Sequence, residues 1–144
     1  MFGAIISNDE RGTAMVKYLS EQWQAEVDKE LRAHLSPEKM NNITSSMNNR
    51  YLNCPGGGSK FFFVSFADGK VDKVLVGEGE GPKAEFYISG DYETFAKISR
   101  AELGSQKALM SGMLKLKGNM VKALKLASLS DRLNKIIATI ETEF

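Results

Sequence analysis

At 144 residues, 42% hydrophobic and 26% charged, the chain is long enough for one domain with its own core and too apolar for a disordered protein. A formal net charge of +1 gives no long-range pull toward nucleic acid, and the lone cysteine, Cys54, rules out an internal disulfide and suits a reducing cytoplasm. The opening Met1-Phe2-Gly3-Ala4 lacks the basic start of a secretory signal, no run approaches the ~20 apolar residues of a membrane span, and the final Glu143-Phe144 is not a peroxisomal Ser-Lys-Leu address.

The first element reads as a helix over about residues 8–34. Val16, Leu19, Trp23, Val27 and Leu31 recur three or four apart and make one apolar stripe. Ser7 or Thr13 is placed to cap it, with Glu10 completing a capping box for Ser7, and Ser20 offers an alternative break. Ser36-Pro37-Glu38 supplies an N-cap followed by proline, the start of a further helical turn.

A sheet is expected over about residues 43–90. Ile43 to Asn53 is polar and reads as an edge strand. Cys54-Pro55-Gly56-Gly57-Gly58 is a turn. Lys60 to Ala67 carries Phe61, Phe62, Phe63, Val64 and Phe66, so both its faces are apolar and both are expected to be covered. Asp68-Gly69 favours a two-residue hairpin turn into Val71 to Glu78. Ala84, Phe86 and Ile88 alternate with polar neighbours in a further strand.

Helices and a last strand fill about residues 91–142. Asp91 is expected to cap a helix to Arg100 that turns Phe95 and Ile98 inward. A short helix covers Gln106 to Met110, and Met113 to Lys117 is a short strand. Asn119 caps a helix over Met120 to Leu129, and Ser130 caps a separate one carrying Leu133, Ile136, Ile137 and Ile140. This order gives one α+β domain over 1–144, with about five strands, largely antiparallel, covered on one face by helices.

Signals of chemistry are weak. His34 is the only histidine and has no nucleophile paired with it in the pattern; one histidine and one cysteine do not make a zinc site. Gly77-Glu78-Gly79-Glu80-Gly81 is followed by Pro82 and a strand rather than a helix, and its glutamates repel anions, so it reads as a flexible acidic loop. Between Leu103 and Ser130 stand five lysines and no acid. They read either as a solvated face or as contacts for anionic headgroups from Lys115, Lys117 and Lys122. No aromatics interleave with them as nucleic-acid binding would require. Met110, Met113 and Met120 crowd one stretch, and methionine suits a surface that repacks around varied ligands, although a plain core gives the same pattern.

The stretch from Ala84 to Leu126 resembles the sterol carrier protein family, also called nonspecific lipid-transfer proteins. The residues that carry the likeness are Ala108, Met110, Gly112, Leu114-Lys115-Leu116-Lys117 and Gly118-Asn119-Met120. Ser20-Glu21-Gln22-Trp23 is similar to the first helix of stand-alone prokaryote-type members, and Cys54-Pro55-Gly56 with the Phe61 to Gly69 hairpin to their turn and sheet. Departures are Met113 for a lysine, Gly104-Ser105 for an Asp-Pro or Asn-Pro pair, and Ser111 for a glutamine of the animal proteins.

The resemblance implies an apolar tunnel between sheet and helices. It implies non-catalytic binding and carriage of fatty acid, acyl-coenzyme A, phospholipid or sterol-like ligands, with no cofactor. The lining expected from it together with the methionine-rich pattern is Phe95, Met110, Met113, Leu116, Met120, Leu124, Ile136 and Ile140. Transient contact with an anionic membrane and a cytoplasmic location go with this reading. The alternative is an interaction or dimerisation module that uses the same apolar helices without a ligand.

Overall fold

A computed structural model of the protein describes residues 15–144. The expected helix start near residue 8, with Ser7, Glu10 and Thr13, lies outside the described residues. A two-residue strand β1 (Val16–Lys17) stands where that helix was expected to continue. Helix α1 (Glu21–His34) begins only after Ser20, whose Oγ accepts from the Trp23 amide at 3.2 Å. Leu19 at φ +65° turns the chain into this cap. Val16 pairs instead, in parallel, with Thr142 near the other end of the chain. Such long-range pairing overrides a helical stripe that is local in origin. The stripe still holds within α1, where Trp23, Val27 and Leu31 are fully buried. Each contributes about 1.5–3 kcal/mol by leaving water. After Leu35 the Pro37 segment makes turns, with the Lys39 amide on Ser36 Oγ at 3.2 Å.

The main sheet is built from β2 (Ser45–Leu52), β3 (Lys60–Ala67), β4 (Lys70–Glu78), β5 (Phe86–Asp91) and β6 (Lys115–Lys117), in the spatial order β4-β3-β2-β5-β6. Only the β2–β5 pairing is parallel; the other three are antiparallel. The α+β class and a five-stranded, largely antiparallel sheet therefore stand as read. The hairpin turn also forms as expected, with Asp68 at φ +52° and Gly69 at +82°, both in the left-handed region that this turn needs. The place of β2 is a correction. It lies at the centre of the sheet, between β3 and β5. Its polar residues misled because one of them, Asn48, is buried and holds another part of the chain.

That part is the glycine-rich loop after β4. Asn48 Nδ2 donates to the carbonyls of both Glu80 and Pro82 at 2.8 Å, and the Glu85 amide donates to Ser46 Oγ at 2.8 Å. The loop is thus docked on the back of the sheet, a correction to its reading as a flexible acidic segment. Phe61 packs beneath it, so close to Gly81 that a Cβ there would come 2.6 Å from the ring. This is how the second apolar face of β3 is covered.

On the front face, α1 lies across the edge strand β4. Gln24 Oε1 accepts from the Val76 amide at 2.7 Å, and Arg32 donates to the Val71 and Asp72 carbonyls at 2.8 and 3.0 Å. Edge groups that would otherwise template a further strand are thereby satisfied. The sheet leads into α2 (Tyr92–Ser99). Asp91 precedes this helix without capping it by its side chain, which accepts from Asn53 Nδ2 at 2.7 Å instead. Next come α3 (Ser105–Met110), strand β6 and α4 (Met120–Ile137), and the chain closes with β7 (Thr142–Glu143) on β1. Helix α4 is continuous over 18 residues, so the expected break at Ser130 does not occur. The cap at Asn119 is as read, its side chain accepting from the Lys122 amide. Asp131, one residue past Ser130, serves α3 instead by accepting from the Ser105 amide and hydroxyl at 2.9 and 2.7 Å.

Candidate functional site

Two adjoining cavities lie between the front of the sheet and the helices. The larger, about 70 Å³, has Met47, Val64, Phe66, Ile88 and Leu116 from the strands on one side. Leu109 of α3 and Ala123, Leu126, Ala127 and Leu133 of α4 stand opposite. The smaller, about 50 Å³, runs from the shared wall of Met47, Val64, Leu114 and Leu133 toward Leu31, Phe62, Phe95 and Ile137. Alternation along β2, β5 and β6 sends every second side chain to this face. On α4 the spacing Ala123, Leu126, Ala127, Ser130, Leu133 makes one inward stripe.

The few hydroxyls at the larger cavity already have partners. Ser45 Oγ donates to Glu85 Oε1 at 2.7 Å, Ser105 Oγ to Asp131, and Ser130 Oγ faces Met47 Sδ at 3.8 Å. A buried network closes off the smaller cavity. Tyr18 Oη lies 2.7 Å from Ser99 Oγ and 3.1 Å from Tyr51 Oη. Burial pushes both phenols well above their ordinary pKa, so they stay neutral. Burial also raises the Cys54 thiol, which donates to the Tyr51 carbonyl at 3.4 Å. His34 is exposed, 3.4 Å from Glu30. Among the described residues no group of three or more His, Cys, Asp or Glu is placed to hold a metal, and no helix is long and apolar enough to cross a membrane.

The residues expected at the site divide sharply. Leu116 lines the larger cavity and Phe95 the smaller. Met110, Met113, Met120 and Leu124 line neither and point outward. Ile136 and Ile140 pack against the core outside the cavities. Lys115 and Lys117 alternate with the inward Leu116, so they project from the opposite face of β6, where the Lys117 ammonium stands 5.9 Å from the Tyr87 ring centre. Lys122 is held by Glu85 at 2.6 Å. Missed in the sequence were Met40, Met47, Phe66, Ile88, Leu109 and the inward stripe of α4. Following the helical period through Ser130 instead of stopping there exposes that stripe.

The sequence profile of the SCP-2 sterol transfer family matches residues 29–131. A Xenopus laevis protein, "Hydroxysteroid dehydrogenase-like protein 2", is 41% identical over 70 residues, which are 48% of this chain and 17% of that protein, so the chain spans under a fifth of that relative. Among solved structures, sterol carrier protein 2 superposes with a TM-score of 0.75 at 19% identity, covering 86% of this chain and 99% of that one. The structure of palmitated SCP2L2 from Aedes aegypti does so with a TM-score of 0.56 at 21% identity, covering 76% and 93%. With the family profile spanning most of its length, the chain belongs to the SCP-2 sterol transfer family.

Proposed function

We propose that the protein binds one elongated apolar ligand between its sheet and α4 and carries it without chemical change. The observation that carries this reading is the pair of adjoining apolar cavities, whose bordering hydroxyls already have partners within the protein. Such a site recognises length and apolarity rather than a polar group. Fatty acid, acyl-coenzyme A, phospholipid and sterol-like molecules are the candidates, with acyl chains first; the palmitated relative from Aedes aegypti supports that order.

Burying methylenes contributes ~0.8 kcal/mol each, so a sixteen-carbon chain grosses roughly 12 kcal/mol. Association and ordering cost several kcal/mol of this, which leaves binding near the micromolar range. A cavity of about 70 Å³ is well below the roughly 150 Å³ that admits a benzene-sized guest. A long chain therefore enters by moving α4 off the sheet. The helix is built unevenly for this. Leu129, Leu133 and Ile137 anchor its second half in the core, whereas Met120, Val121 and Leu124 in its first turns are exposed. Met40 and Met47 at the cavity wall adapt their shape at little cost.

The non-catalytic part of the proposal rests on the buried neutral phenols, the buried thiol and the solvated histidine. A cytoplasmic setting, brief contact with anionic membrane and no dealings with nucleic acid belong to the same proposal. Native mass spectrometry of freshly purified protein followed by organic extraction tests it. The expected result is a mass excess of a few hundred daltons that extracts as fatty acid or phospholipid. An apo mass together with no uptake of a fluorescent fatty acid refutes it.

A further inference from the structure

Four side chains that the sequence pattern assigns to the cavity, Met110, Met113, Met120 and Leu124, are turned outward by the fold, and Val121 beside them is exposed as well. Met110 is 71% exposed, Val121 65%, Met113 52%, Met120 49% and Leu124 38%. They sit at the end of α3, just before β6 and on the first turns of α4, in the same segments whose Leu109, Leu116, Ala123 and Leu126 face the larger cavity. On α4, Met120, Val121 and Leu124 share one helical face. Leaving five large apolar side chains in water within so short a stretch needs a reason, because soluble surfaces keep such residues scattered.

The charge around them indicates what covers them. No carboxylate occurs between Leu103 and Ser130. Lys107 borders a surface hollow together with Met110 and with Asp131, whose carboxylate is engaged by Ser105, and Lys125 lies one turn beyond Val121 on α4. Lys122, by contrast, is committed to Glu85. Unbranched, flexible methionines flanked by Lys107 and Lys125 match a surface that is fluid, apolar within and anionic at its rim.

We propose that this face, formed by the end of α3, the turn into β6 and the start of α4, docks the protein on an anionic lipid bilayer, so that the half of α4 that must move for ligand entry is the half that touches the membrane. The proposal rests on the carrier reading but names a surface distinct from the cavity. Three measurements test it. Vesicle flotation uses phosphatidylcholine alone and phosphatidylcholine mixed with phosphatidylglycerol. Transfer of a fluorescent fatty acid is followed between such vesicles. Equilibrium binding of the same fatty acid is measured in buffer.

Wild-type protein is expected to float with the mixed vesicles and not with phosphatidylcholine alone. The double variants Met113→Glu/Val121→Glu and Lys107→Glu/Lys125→Glu are each expected to lose at least about tenfold in vesicle binding and in transfer rate. Their binding of fatty acid in buffer stays unchanged, which also shows that they fold. Wild-type flotation with neither vesicle, or variants that bind and transfer as wild type does, overturns the proposal. So does a wild-type dimer in sedimentation that Met113→Glu/Val121→Glu converts to monomer, because the face then belongs to a second copy of the chain. Loss of fatty-acid binding by the wild type itself would count against the carrier reading, while flotation would still report on the face.

Discussion

The Lys122 ammonium donates to Glu85 Oε2 at 2.6 Å, joining the first turn of α4 to the residue before β5, and Ser45 holds the other oxygen of the same carboxylate. Both flank the larger cavity: Ser45 lines it, and Ala123, next to Lys122, lines it from the helix side. The pair thus fastens the more exposed half of α4 beside the larger cavity. Being exposed, it contributes only about 0–1 kcal/mol to stability. Glu85→Gln and Lys122→Gln are expected to leave urea unfolding nearly unchanged but to speed release of a fluorescent fatty acid several-fold in stopped-flow measurements.

The same contact sets a pH dependence. The Lys122 hydrogen bond, and then that of Ser45, hold the Glu85 carboxyl below its ordinary pKa. Because the folded value is the lower one, the contribution is complete above the ordinary carboxylate range and is lost as pH falls through the depressed value. Ligand release is expected to quicken in that acid window for the wild type. In Glu85→Gln the acceleration should be absent; a pH profile identical to that of the wild type would refute the assignment.

Filling the larger cavity separates binding from stability. Ala123→Phe places a ring where the structure has space beside Leu126 and Leu116. Fatty-acid affinity is expected to fall at least about tenfold, and overpacking to cost no more than about 1–3 kcal/mol. Leu133→Ala, at the wall shared by both cavities, is expected to cost about 2–5 kcal/mol. Fluorescence titration and thermal melts read the two effects.

Tyr18→Phe removes one hydroxyl from the buried network and leaves Ser99 Oγ without its 2.7 Å partner. The expected cost is about 1–3 kcal/mol. Urea denaturation measures it, and the additional variant Ser99→Ala, which removes the stranded group, should restore part of the loss.

Asn48→Ala deletes the two bonds that hold Glu80 and Pro82 on the back of the sheet. A loss of about 1–3 kcal/mol is expected, with faster amide exchange in the Gly79 to Glu85 loop than in β3. Uniform protection in loop and strand would show that Phe61 and the Ser46 contact hold the loop without Asn48.

The legible parts of the fold were those with strong local period. Trp23, Val27 and Leu31, the Asp68-Gly69 turn and the Asn119 cap stand in the structure as their neighbours in sequence imply. The polar residues of β2 predict an edge strand because they resemble a solvated one; Asn48 is instead buried by a loop more than thirty residues away. Ser130 looked like a cap because serine favours helix starts, yet here it faces Met47 across the cavity from inside a continuous helix.

From the sequence alone came the α+β class, the single core and the likeness to a lipid-carrier family, because periodicity and local motifs suffice for these. Tertiary structure decided which apolar residues face the cavity. Met120 and Leu124 have the composition of a lining, but the rotation of α4 about its axis, fixed by burial of Leu129, Leu133 and Ile137, turns Ala123, Leu126 and Ala127 inward in their place; on α3 it is Leu109, not Met110, that faces the cavity. Hydropathy records that a side chain is apolar; which way it points depends on packing against strands distant in sequence, and no local pattern contains that.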